Sequence, residues 1–138
     1  MRLLDVALVY VALAWLAAAA HFAYLIYLPS GGFLALRWRR SIWLHIAAVA
    51  WGIGAAVLNF WCPLTAFERW ARAKAGMAAL DPGGFIDHYL TGHLWSSGDT
   101  GYAQAVVFTV VAVSWMAYAT TAKVSEGGLE PPRPLIGH

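Results

Sequence analysis

Apolar side chains run almost unbroken along three stretches of the chain, Leu3 to about Pro29, Ser41 to Trp61 and Tyr102 to Ala122. Each is long enough to cross a hydrocarbon core, which takes about 20 helical residues. Backbone N–H and C=O groups find no water in such a core, so each stretch must satisfy its own as a helix. The β-branched clusters at Val106, Val107 and Val110, Val111 do not overturn that reading. Polar positions mark the breaks. Pro29, Ser30, Gly31 and Gly32 predict an end to the first helix, and Arg37, Arg39 and Arg40 form a short basic loop before the second. Cys62 to Gly101 is a long polar insert that carries most of the acidic residues. The pattern predicts an all-α integral membrane protein with three transmembrane helices and an amphipathic, interfacial helical insert between the second and third. One domain covers residues 1–122, and residues 123–138 form an extended tail marked by Gly127, Gly128, Pro131, Pro132 and Pro134.

Composition supports this assignment. The 138 residues are 61% hydrophobic and only 12% charged, with a mean hydropathy of +0.61, whereas a soluble domain is roughly one quarter charged. So few charges leave too little polar surface for a small soluble fold. The net charge of +2 is spread along the chain and makes no cationic face, so no nucleic-acid partner is expected. Cys62 is the single cysteine and forms no internal disulfide. Arg2 and the small residues Ala17 to Ala20 resemble a secretory leader, but the apolar run continues through Tyr24 and Tyr27, so the first span is expected to be retained. Arg37, Arg39, Arg40, Lys123 and Arg133 would share one side of the membrane, opposite Arg2, Arg69, Arg72 and Lys74. That balance of five against four predicts the insert on the outer side of the membrane.

Within the insert, Thr65 and Glu68 have the spacing of a capping box, which predicts a helix starting at about Ala66. Phe67, Trp70, Ala71 and Met77 form its apolar face, largely opposite Arg69, Arg72 and Lys74, as in a helix lying among lipid headgroups. Asp81 to Gly84 make a turn, and Phe85, Ile86, Tyr89 and Leu90 predict a second short helix. In the second span Ser41, His45, Gly52 and Asn59 lie on one face with Ala48, Ala55 and Ala56, a stripe that should face protein. Ser114, Tyr118 and Thr121 repeat it in the third.

Ionisable groups inside a membrane are expensive and default to functional candidates. His21 and His45, on neighbouring antiparallel helices, are expected at similar depth, where two imidazoles suit a haem iron or another metal, or a hydrogen bond to each other or to Tyr24. Cys62, His88 and His93 form a weaker metal-ligand set, since a five-residue spacing splays the two histidines on a helix. No Walker loop, dinucleotide-binding glycine pattern or nucleophile elbow is present. Catalysis by Cys62 would need a base and a depressed pKa, and the sequence alone displays neither.

His21, Phe22 and Tyr24 to Trp38, then Trp43 to His45, Trp51 and Gly52, then Cys62, Pro63, Leu64, Thr65 and Glu68, and finally Gly84, Phe85, Ile86, His88, Tyr89 and Leu90 form a composite pattern. It resembles an uncharacterised bacterial membrane family, domain of unknown function 2784, over roughly Ala20 to Gly101. The resemblance implies a small multi-span protein without an assigned activity, and brings forward His21, His45, Cys62, Pro63, Thr65, Glu68, Gly84, Phe85, His88 and Tyr89. The chain departs from that pattern at Trp15 and Leu16, where an acidic residue is usual, and beyond Tyr89 at Gly92, His93 and Ser96 to Thr100.

Three functions follow as expectations. The first is an accessory or assembly subunit of a larger membrane complex. The second is a haem- or metal-binding redox protein using His21 and His45. The third is a lipid-modifying or quinone-using enzyme with Glu68, His88 and Tyr89 around a pocket at the insert.

Overall fold

The computed structural model describes residues 1–58 and 61–127. It is built of α1 (Arg2–Arg37), α2 (Ser41–Leu58), α3 (Pro63–Ala75), α4 (Phe85–Tyr89) and α5 (Thr100–Gly127), with a 3-10 turn at Ser97–Asp99 before α5. Three of these helices, α1, α2 and α5, are long and apolar enough to cross a membrane. The protein is an all-α membrane protein.

The expected break at Pro29 does not occur. α1 runs through Pro29, Ser30, Gly31 and Gly32 to Arg37, a single helix of 36 residues and about 54 Å. A proline inside a membrane helix is tolerated where neighbouring groups satisfy the freed backbone. The two glycines serve close packing. A Cβ on Gly31 would stand 2.9 Å from the Tyr27 ring, and one on Gly32 would lie 2.7 Å from Ser114 Cβ and 3.2 Å from His45 Cε1. Helix α1 therefore lets α2 and α5 approach where a side chain would hold them apart.

The C-terminal half of α1 forms a three-helix bundle with α2 and α5. The Tyr24 hydroxyl donates to the carbonyl of Ala48 at 2.8 Å, and Tyr118 on α5 reaches the carbonyl of Arg39 in the first loop at 3.5 Å. Leu28, Val49 and Val111, one from each helix, are the buried centre. The small-residue stripe of α2 thus faces α1 through Ala48 and Gly52, as expected, while Asn59 lies outside the described residues. On α5, Ser114 is fully buried against Gly32 and Thr121 is exposed.

The N-terminal half of α1 packs against α3 instead, with Tyr10 edge-on to Trp70 at a ring separation of 5.3 Å. Cys62 is the N-cap of α3 and Pro63 its first residue. That position suits a proline, whose missing N–H would be unpaired there anyway. The capping box expected at Thr65 and Glu68 is absent, because the helix starts earlier and Glu68 is spent elsewhere. α3 is amphipathic, as expected, but it turns polar residues as well as an apolar one toward the protein. Glu68, Ala71 and Arg72 are its buried residues, and Phe67 and Trp70 stay exposed. α5 begins at Thr100 and extends to Gly127, so residues 123–127 of the expected tail are helical. The rest of the tail lies outside the described residues.

Candidate functional site: an apolar cavity with a cysteine and a histidine at its edge

A cavity of about 1340 Å³ opens between the three long helices and the insert. The helices contribute mostly apolar walls, among them Phe22, Leu25, Trp51, Ala55 and Phe108, while the insert adds the polar groups Cys62, Thr65, Arg69 and Asp99. Small-molecule sites usually occupy roughly 300–1,000 Å³. This one is larger, open and predominantly apolar.

His21 and Cys62 meet at its edge. Cys62, at the N-cap of α3, sets its Sγ 3.9 Å from His21 Nε2 on α1. The imidazole stacks on Phe85 with ring centroids 3.9 Å apart and planes 11° from parallel. Phe85 is held there by the turn at Gly84, whose φ of 95° is open to glycine and strained for other residues. His21 is only 6% exposed, and its Nδ1 is buried without a hydrogen-bond partner. Burial pushes the Cys62 thiol up, but the His21 ring and the first-turn amides of Thr65 and Leu64 outweigh it and bring the thiol down to about 7. Free N–H groups at a helix N-terminus favour a thiolate in this way. The base and the lowered pKa that Cys62 lacks in sequence are therefore both supplied by the fold.

A second polar cluster lies behind the first. Tyr89 donates to Glu68 Oε1 at 2.8 Å and accepts from Arg72 Nη1 at 3.1 Å. Arg72 also donates through Nε to the carbonyl of Ala78 at 2.8 Å. Glu68 is fully buried and its second oxygen, Oε2, has no partner. Burial first, and then the bond to Glu68, push the Tyr89 phenol above its ordinary value. These three residues tie α3 to α4 and so hold Phe85 against His21.

His45 is elsewhere. It is fully buried in the bundle, where its Nδ1 accepts from Trp115 Nε1 at 3.0 Å and its Nε2 donates to the carbonyl of Leu28 at 2.8 Å. Both nitrogens are occupied and none is left for a metal. His45 packs level with Leu28 to Gly32, about 10 Å along α1 from His21. The two histidines do not share a site. The set Cys62, His88 and His93 is not assembled either. His88 faces Asp81 at 3.5 Å, His93 is exposed, and among the described residues no group of three or more His, Cys, Asp or Glu comes together to hold a metal.

Most of the family-like residues thus converge on one place. His21, Cys62, Thr65 and Phe85 frame the cavity edge, Pro63 starts α3, and Glu68 and Tyr89 support the frame from behind. Comparison with family models gives a match over residues 11–120 to a family described as Protein of Unknown function (DUF2784). The chain belongs to the DUF2784 family. Searches of curated proteins and of solved structures return no match. The DUF2784 match takes in the three-helix bundle, α3 and the cavity, and stops short of the last turns of α5. Three residues that the sequence did not put forward as site residues complete the picture: Trp115, which fixes His45, Arg69, which lines the cavity, and Leu64, whose amide faces Cys62.

Proposed function

We propose that this DUF2784 protein binds an amphiphile bearing a long apolar chain, held in the cavity between α1, α2, α5 and the insert. The observation that carries the proposal is the cavity itself, large and predominantly apolar, with the Arg69 cation on its insert side. An acyl or isoprenoid chain desolvates against Phe22, Leu25 and Phe108, and burial of that surface supplies the binding energy. Arg69 has no carboxylate partner among the described residues. It donates to the carbonyls of Asp81 and Pro82 at 3.0 Å and keeps a buried Nε without a partner. A cation so placed favours an anionic headgroup. Native mass spectrometry of the protein released from lipid nanodiscs tests the reading: the expected result is a retained lipid, enriched in anionic species, that is lost on filling the cavity with Ala55→Trp. Equal retention by that variant overturns it.

A second reading is an accessory or assembly subunit of a larger membrane complex, docked through the outer face of the N-terminal half of α1. Leu3, Leu4, Leu8 and Leu16 are each more than 60% exposed there. The expected measurement is stoichiometric co-purification of another membrane protein, lost when Leu8 and Leu16 become Ser. Either reading suits a bacterial inner membrane with the insert outward, the orientation favoured by Arg37, Arg39, Arg40, Lys123 and Arg133 on the opposite side.

A further inference from the structure

The cavity edge holds a nucleophile and a base in reach of one another, and neither has another task. His21 bonds to no other side chain: its Nε2 faces Cys62 Sγ at 3.9 Å and its Nδ1 is unpartnered. At 6% exposure it is a buried polar group forming part of the cavity wall. A buried imidazole nitrogen without a partner is costly, and nothing in the packing of Phe85 on its face requires a histidine there rather than an aromatic ring. The arrangement matches what nucleophilic catalysis by a thiol demands. The sulfur sits at a helix N-terminus, an imidazole stands within hydrogen-bond reach, and a binding site lies alongside.

We infer that Cys62 and His21 are an acyl-transfer pair, with Cys62 taking a long-chain acyl group from an ester or thioester seated in the cavity. The inference rests on the amphiphile-binding reading above. His21 Nε2 takes the thiol proton, and the sulfur electron pair attacks the carbonyl carbon of the donor. As the sulfur–carbon bond forms, the bond from that carbon to the donor's oxygen or sulfur breaks. The leaving atom keeps the pair and receives the proton from His21. The products are an acyl-Cys62 thioester and a free alcohol or thiol, with no oxidant or reductant needed. Attack on the thioester by water, a hydroxyl or an amine, with His21 again taking and returning the proton, regenerates the thiol. The amides of Leu64 and Thr65, which face the Cys62 sulfur before attack, are the nearest backbone donors to the oxyanion once the sulfur is acylated. Glu68, Arg72 and Tyr89 act one step back, as positioning residues that hold Phe85 and hence the His21 ring.

The test uses the full chain in nanodiscs and two donors, palmitoyl-coenzyme A in solution and phosphatidylglycerol with deuterated palmitoyl chains in the bilayer. Intact-mass spectrometry should find one palmitoyl group on Cys62, removed by neutral hydroxylamine, and the isotope tells which source supplies it. Cys62→Ser should show no hydroxylamine-labile adduct. His21→Gln should slow single-turnover acylation by about 10²–10³-fold and move the pH profile upward, whereas a residue with a packing role alone would leave that profile in place. Ala55→Trp, which fills the cavity, should slow palmitoyl transfer. Absence of a labile adduct from both donors, in protein that still retains a non-hydrolysable diether phosphatidylglycerol, overturns acyl transfer and leaves the binding reading standing. An adduct formed at equal rate without His21 overturns it too. Failure to retain the diether lipid overturns the binding reading itself.

Discussion

Trp115 donates its indole N–H to His45 Nδ1 at 3.0 Å, so a histidine one turn into α2 is held in one tautomer by α5 while its other nitrogen donates to α1. The bond joins all three long helices through one ring. Hydrogen bonds between membrane helices contribute about 0.6–2 kcal/mol each. Trp115→Phe should therefore lower stability by ~1–2 kcal/mol, and His45→Ala by more, since it removes two bonds and leaves a void. Unfolding in mixed detergent micelles, followed by tryptophan fluorescence or circular dichroism, reads both. An unchanged transition in His45→Ala would show that the ring does not hold the bundle together.

Gly32 admits Ser114 at the same level. A Cβ on Gly32 would lie 2.7 Å from Ser114 Cβ, and overpacking of this kind costs about 1–3 kcal/mol. Gly32→Ala should thus destabilise the bundle, and Ser114→Gly in the same chain should recover much of the loss. Two additive penalties in the double variant would contradict the packing account.

The Glu68, Arg72 and Tyr89 cluster makes a different prediction. Tyr89→Phe removes the 2.8 Å bond to a fully buried carboxylate and leaves it with the 3.5 Å contact to Arg72. A buried charged acceptor that loses its donor costs about 1–3 kcal/mol. The variant should be less stable by that order and should acylate or alkylate Cys62 more slowly, because Phe85 and His21 lose their support. Loss of stability with unchanged Cys62 kinetics would confine the cluster to a structural role.

The Cys62 thiol, brought down to about 7, should be half-reactive toward iodoacetamide near that pH. The sign follows from the thiolate being the nucleophile: reactivity rises with pH through the folded-state pKa and levels off above it. His21→Gln removes the side-chain partner, so the midpoint should move up toward the ordinary thiol value. The amides of Leu64 and Thr65 remain and should limit that rise. A midpoint unmoved by the substitution would separate the two residues in function.

Much of the fold was legible because the membrane dictates it. Apolar runs of the right length must be helices, and the number and order of the spans follow from that alone. The end of α1 was not legible. Pro29, Ser30, Gly31 and Gly32 read as breakers because that is their meaning in water, whereas here the glycines seat His45 and Ser114 and the helix continues to Arg37. The displacement shaped the reading of the site. Ending α1 at Pro29 shortens it by eight residues, about 12 Å, and puts His21 at the level of His45, when in the fold it belongs with Cys62 on the insert side. Thr65 and Glu68 misled for a related reason. Their spacing matches a local cap, but Glu68 is drawn to Tyr89, whose position depends on the turn at Gly84 and cannot be read from spacing. The likeness of His21, Cys62, Glu68, Phe85 and Tyr89 to a family pattern was visible from the start, and their convergence required the structure.

Photo-crosslinking with a phosphatidylglycerol carrying a diazirine near the end of one acyl chain tests the central claim, that the cavity binds the chain of an amphiphile, most directly. The lipid is incorporated in nanodiscs with the full-length protein, and crosslinked peptides are mapped by mass spectrometry. The account predicts crosslinks concentrated on the cavity walls at Phe22, Leu25, Trp51 and Phe108, reduced by Ala55→Trp and by an excess of unlabelled phosphatidylglycerol. Crosslinks spread over the outer positions Leu8, Leu16, Val57 and Met116, indifferent to both treatments, would show ordinary bilayer contact and contradict it.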